Sequence, residues 1–374
     1  MKKMVLMVLL LNFIFSANAQ ELALANIDGK FGYINKKGEW VIQPKFKVAK
    51  SFSGDLAIAV EGKKWGFIDR KGNWVIEPQF DKAKNFSSGI AVVLKNKRWY
   101  YINNTGQEVL QNVTTDKIYD FKNGVAFIKQ DDKVGFIDVN GKTIVTPKFT
   151  KIKKFRNGYA KVLENDKWGL VDAKGNYFVK PVYTALGNVY KGIVVARKGE
   201  VNGIIVNGVF KAITGAQKIW DFSKEGKITY AKKDDKIGFI NAQGKWVIAP
   251  KYDKVRAFSD GLAPVCVAKK WGYINEIGEE VITLQYRDAE VFSKDGLAPV
   301  KSAKLWGFIN RKGEDVIAQK YVITTGGLSL FKKNVEKGFI NGLARVKYKK
   351  TWGFINTKGE VLNNTWFIRL EDFK

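Results

Sequence analysis

The chain has 374 residues, 45% of them hydrophobic, which excludes a disordered polymer and leaves room for two or three ordinary domains or one long repeat array. Its formal charge is +28, from 64 Lys and Arg against 36 Asp and Glu, and only nine of the basic residues are Arg. With no His and a single Cys, Cys266, it holds no Ser-His-Asp or Cys-His arrangement, no His-based zinc site and no internal disulfide. The Lys excess acts as a diffuse positive field, suited to solubility and to attraction of anionic polymers, and it discourages sheet edges from pairing with one another. Cys266 sits in the apolar run Pro264-Val265-Cys266-Val267 and reads as a small core residue.

At the N-terminus, Lys2 and Lys3 precede an apolar run over 4–15, broken only by Asn12, and then Ser16-Ala17-Asn18-Ala19. Twelve apolar residues are too few to span a membrane, and these flanks predict a secretory signal peptide over 1–19. Cleavage after Ala19 leaves Gln20 first and a charge of +26, since Lys2 and Lys3 are lost. No Cys follows to take a lipid, and no later stretch is apolar enough for a transmembrane helix. The expected location is the periplasm, the cell surface or the extracellular space.

The remainder, 20–374, repeats. With Trp65 as position zero, the equivalents are Phe31, Trp65, Trp99, Val134, Trp168, Asn202, Ile237, Trp271, Trp306 and Trp352. Their spacings are 34, 34, 35, 34, 34, 35, 34, 35 and 46 residues, so ten units run in phase with one insertion near the end. Position +1 is Gly in nine of ten units, Tyr100 excepted, which marks a bulge or a close approach, with an aromatic ring lying over the bare backbone. Two apolar residues follow, then Asp or Asn at +4 and Gly at +7, each in nine units, the composition of a hairpin loop. An apolar pair closes the second strand, and in five units Pro at +13 ends it (Pro44, Pro78, Pro147, Pro181, Pro250), with an aromatic two residues on. A connector leads to Phe-x-x-Gly, and after that Gly comes a third strand such as 89–94. The unit is predicted as a three-stranded meander with a short connector, and nothing has helical periodicity over a useful length.

Two places depart from the pattern. The sixth unit, near 185–230, has Asn202 at position zero and its turn Gly early, and it is the predicted hinge or seam. The last spacing carries about twelve extra residues within 322–337, expected to be a loop on one unit.

The Trp-Gly core, turn Gly and Pro-x-Phe/Tyr resemble bacterial WG repeats, also called KWG repeats. Lys64-Trp65-Gly66, Lys167-Trp168-Gly169 and Lys270-Trp271-Gly272 carry the name-giving motif. The resemblance covers essentially all of 20–374 and implies an exported or envelope-associated repeat scaffold with a binding role. It supplies no catalytic residues.

The fold expectation is all-β: a tandem array of about ten 34-residue meanders, either an open twisted solenoid or a propeller-like spiral or ring. Because the chain reads as whole units, with no terminal strand left to complete a first blade, the open or spiral form is favoured. Position zero is apolar in nine of ten units and predicts an inter-repeat contact. Position +9 holds Trp40, Trp74 and Trp246 where sister units hold Glu108, Thr143 or Asp315, so it is expected to face solvent. Exposed aromatics beside Lys stack on sugars, peptides or nucleobases, which makes these three tryptophans the candidate ligand-binding residues. The repeated Asx at +4 is read as turn-forming, since one mostly uncharged oxygen ligand per unit is too little for calcium.

No catalytic, metal or cofactor site is expected, and no paired carboxylates for glycosidase chemistry stand out. The function expected is a non-enzymatic binding scaffold presenting a basic, aromatic-dotted surface to envelope or extracellular proteins or to anionic polymers, with no specific nucleic-acid partner. The alternatives are a hydrolase of cell-wall or extracellular glycans and a purely structural spacer.

Overall fold

The computed structural model describes residues 20–223, 227–322 and 338–374. The expected signal peptide over 1–19 and all of the insertion except Val322 lie outside the described residues. Within them the chain forms ten small antiparallel sheets, eight of four strands and two of three. The second unit shows the plan: Val48–Ala49, Ala57–Glu61, Lys64–Ile68 and Trp74–Phe80 pair in chain order. The connector thus contains a two-residue strand that the sequence pattern did not reveal, and it adds a fourth strand to the meander. Two residues are too few to show an alternation.

The turns follow from the residues that make them. Asp131-Asp132, Asn165-Asp166 and Asp234-Asp235 occupy two-residue hairpins with both φ angles positive, the conformation that matches strand twist. Between the next two strands, Asp69 Oδ1 accepts from the N–H groups of Lys71 and Asn73, both at 2.9 Å, and Gly72 supplies φ +86°. The register then slips between Trp65 and Phe67, and again between Phe67 and Ile68. The bulge brings Trp74-Val75-Ile76 back across Gly66, where an added methyl would meet the Ile76 carbonyl oxygen at 2.5 Å and the Trp74 ring at 2.9 Å. The strand glycine therefore does lie beneath an aromatic ring.

Neighbouring blades meet through one recurring ring pair. The aromatic at +2 packs on the Phe of the next blade's Phe-x-x-Gly: Tyr33 on Phe52 at 4.8 Å, Phe67 on Phe86 at 4.7 Å, Phe239 on Phe258 at 4.9 Å, Phe308 on Phe339 at 4.9 Å. Each such pair adds about 0.5–1.5 kcal/mol beyond its burial. A second recurring contact seats the aliphatic residue at +11 on the next blade's turn glycine, as Ile42 on Gly72 and Ile282 on Gly313.

The array closes. Arg369–Leu370 pairs with Ala23–Ile27, so the end of the chain supplies the first strand of the first blade. Leu22 and Lys374 exchange backbone hydrogen bonds of 3.0 and 3.1 Å. Phe354 of the tenth blade stacks on Phe373 at 4.7 Å, repeating the inter-blade ring pair across the junction. The protein is a ten-bladed β-propeller, not an open solenoid. The sequence favours the open form because no terminal strand is left over to complete a first blade, but Arg369–Leu370 is that strand.

The sixth blade, 185–212, keeps four strands. Its outer hairpin is a plain Asn207-Gly208 turn with φ +50° and +77° and no bulge, so Pro-x-aromatic is absent because there is no long bulged strand to end. Packing clusters join it to both neighbours. The seam of the ring lies in the first blade, where the two ends of the chain meet.

Candidate functional site

The three tryptophans at +9 are half-buried, not solvent-facing. Each packs back on the preceding blade: Trp40 edge-on to Phe367 at 5.7 Å, Trp74 edge-on to Phe46 at 5.9 Å, and Trp246 against the cluster holding Ile204 and Ile213. The structure does not bring them together, and it shows a packing role that the sequence hid. Acidic residues at the same position in sister blades, such as Glu280 and Asp315, stand exposed.

Position zero behaves differently. Trp271 and Trp306 are 8% exposed, but Trp99 is 38% exposed, and most of the others fall between. Cations cover these rings. Lys50 Nζ lies 4.8 Å from the Trp65 centroid, Lys84 5.7 Å from Trp99, and Lys153 4.7 Å from Trp168. Arg256 lies 4.5 Å from Trp271, and Arg345 5.2 Å from Trp352. In the first four pairs the cation stands two residues before the Phe of Phe-x-x-Gly, directly after the two-residue strand. The second, third, fifth and eighth blades therefore present the same cation–aromatic couple, each worth about 0.5–1 kcal/mol where exposed.

These cations sit in an environment of mixed sign. Burial pulls the Lys50 ammonium below its ordinary value, and Asp120, two blades on, opposes that. Lys84 pairs with Asp120 at 2.9 Å. Arg256 is held most firmly: Nη1 meets Asp288 at 2.9 Å, and Nε and Nη2 fork onto Glu290 at 3.0 and 3.1 Å. The sequence signal for this set was a basic residue fifteen positions before Trp, and it went unread because the connectors looked irregular.

The seventh blade inverts the pattern. Ile237 stands at position zero, and Trp220 occupies the place of the cation. The ring of Trp220 lies 4.9 Å from Tyr230, with Lys218 Nζ 4.4 Å above it. The short Ile237 leaves an open groove of about 480 Å³, lined by Trp220, Tyr230, Trp271, Lys254, Arg287 and the Arg256–Asp288 ion pair and crossing from the seventh blade to the ninth. Lys254 and Arg287 are exposed, and no acidic side chain pairs with either among the described residues. No cluster of three or more Cys, Asp or Glu with metal-holding geometry occurs among the described residues. The Asx side chains at +4 are turned onto their own loops, as Asn35 Oδ1 is onto Lys37 and Glu39.

Seven stretches match the family described as WG containing repeat: 31–65, 65–99, 101–133, 135–168, 168–201, 237–271 and 271–305, together more than half of the chain. The chain belongs to the WG-repeat family. The main unmatched stretches of this WG-repeat protein are 202–236, from the bulge-free outer hairpin of the sixth blade into the seventh, and the part beyond 305, which carries the insertion and the closing strand. No curated protein matches it at a significant level.

Among solved structures, the chain is similar to a eukaryotic initiation factor at 11% identity and TM-score 0.49, covering 95% of this chain and 98% of that one. It is also similar to PorZ, a surface component of the type-IX secretion system of Porphyromonas gingivalis, at 10% identity and TM-score 0.26, over 84% of this chain and 51% of that one. A third likeness is to the extracellular domain of a putative hybrid two component system from B. thetaiotaomicron, at 12% identity and TM-score 0.26, over 94% and 57%. At these scores the likenesses carry no argument about what the WG-repeat protein binds.

Proposed function

We propose that this WG-repeat propeller is an exported, non-catalytic binding scaffold that presents its basic, aromatic-studded blades to anionic polymers or acidic proteins of the envelope. The observation that carries this reading is the cation–aromatic couple repeated at Lys50/Trp65, Lys84/Trp99, Lys153/Trp168 and Arg256/Trp271. Ten similar blades in a ring offer many weak, equivalent contacts, and a polymer that bridges several of them gains avidity without any one tight site. An excess of Lys over acids supplies the long-range attraction. Export follows from the leader at 1–19, and the first residue of protein recovered from the cell envelope tests it: Gln20 supports cleavage, an intact Met1 removes it.

The binding claim is tested by the affinity of the mature protein for acidic polysaccharide at rising salt. Exposed charge pairs are screened over about 8 Å at physiological ionic strength. Affinity is expected to fall at least tenfold between about 50 and 500 mM salt. Salt-independent affinity removes the electrostatic part of the reading, and turnover of a glycan or peptide substrate removes the non-catalytic part.

A further inference from the structure

Ten blades of one pattern give ten similar junctions, and the pair of departures at the seventh blade opens a groove across the junctions that follow it. The fourth blade holds Val134 and Tyr119 at the two positions, but in the second, third, fifth and eighth blades a Trp at position zero fills the space beneath a Lys or Arg. Here Ile237 is too short to fill it, and Trp220 stands where the cation would be. The floor is apolar and aromatic, from Trp220, Tyr230 and Ile237, with the Trp271 ring beneath Arg256. Arg256 contributes no free charge, because Asp288 and Glu290 hold it. The free charge comes from the rim, where Lys254 and Arg287 are exposed and unpaired with any acid among the described residues.

An apolar floor between free cations selects a ligand with an apolar or ring body and an acidic substituent. About 480 Å³ lies within the range of sites that enclose small organic ligands, and the groove is open, so a chain passes through it without needing a free end. A peptide recognised through its backbone would need a strand edge to extend. The edge here is Lys254–Val255, only two residues long, and its neighbours Asp253 and Arg256 already spend their N–H groups on Cys266 and Pro264. We infer that this groove is a specific site for an acidic sugar chain, the sugar rings lying on the aromatic floor and the acidic groups meeting Lys254 and Arg287. The inference rests on the scaffold reading above and sharpens it to one ligand class and one place.

The test measures binding of a galacturonic-acid oligomer, a sulfated glycan oligomer, a neutral oligomer of equal length and a poly-glutamate peptide by calorimetry with the full mature chain. Two variants alter the groove. Lys254→Glu/Arg287→Glu reverses the rim on exposed residues, and Trp220→Lys/Ile237→Trp gives the pattern of the second, third and fifth blades and fills the groove. Each is expected to weaken the acidic oligomers at least tenfold, with the carboxylated and sulfated arms showing which acidic group is preferred. Lys37→Glu/Lys312→Glu, an equal charge change on exposed turns away from the groove, is expected to change binding less than twofold. If the control reversal weakens binding as much as the rim reversal, or poly-glutamate binds as tightly as the sugars, the groove site is overturned while the scaffold stands. If no acidic polymer binds the parent protein at any salt, the scaffold reading falls first and takes the groove with it. A thermal midpoint close to the parent's qualifies each variant, and the exposed rim pair serves if the swapped pair fails to fold.

Discussion

Glycine in this propeller holds two unlike positions. Gly66 has its missing side chain pointed at backbone, the Ile76 carbonyl oxygen and the Pro78 nitrogen, neither of which can give way. Gly89 has φ +78° and open space around it. Gly66→Ala is therefore expected to cost about 1–3 kcal/mol through overpacking. Gly89→Ala is expected to cost about 1–2 kcal/mol from left-handed strain alone. Thermal midpoints of the two variants check the order, and a larger loss at Gly89 would overturn it.

Asp69 offers a pH handle at the same scale. Burial alone would raise its carboxyl, but the N–H bonds from Asn73 and Lys71 outweigh this and hold it below its ordinary value, and Asp172 behaves alike. A folded-state value below the unfolded one contributes stability that is fully present above about pH 4 and is lost as pH falls through the folded value. Asn accepts the same bonds at Asn35 without titrating. Asp69→Asn/Asp172→Asn is expected to match the parent at pH 7 and to lose less stability between pH 5 and 3. Parallel urea midpoints across that range would remove the argument. These turns were legible from sequence because Asx and Gly act locally. The packing of Trp40, Trp74 and Trp246 was not, because each touches the preceding blade and its own position tolerates Glu or Asp elsewhere.

Among the elements, the two-residue strands carry more of the architecture than their length suggests. Most blades open with one, and in four of them the residue that follows it is the cation that stacks on the position-zero ring. The last of them, Arg369–Leu370, also joins the ends of the ring, backed by Arg345, which donates to the Leu370 carbonyl at 2.7 Å and meets Asp372 at 3.1 Å. Deleting 369–374 removes the pairing with Ala23–Ile27 and the Phe354–Phe373 stack together. The shortened protein is expected to unfold at a lower temperature, by several degrees, and to associate through the bared strand in light scattering. A monomer with an unchanged midpoint would mean that the ring does not depend on this strand. Sequence reading closed the last unit at the end of the chain and so missed that Arg369–Leu370 and Phe373 belong to the first blade, because a repeat pattern has no mark for where a blade begins.

For the whole molecule, the period alone was enough to predict ten units and an all-β array. Closure was decided by a contact between residues at opposite ends of the chain, which no local pattern reports. The groove was legible in principle: Ile237 and Trp220 exchange the characters of two repeating positions, and only an alignment of the units on both positions at once makes that visible. No helix among the described residues is long and apolar enough to cross a membrane.

Closure also fixes the order in which the molecule can be finished. Asn363 donates to the Gly38 carbonyl across 325 residues of sequence, and the strand that completes the first blade follows it in the chain. During synthesis the first blade is the earliest made and the last completed, with the edge of Ala23–Ile27 open throughout. Contacts of such separation are slow to form, since chain entropy must be lost before they reward it. Once made, the junction ties the lifetimes of all ten blades together, so a protease that trims the final few residues acts on the first blade as directly as on the last.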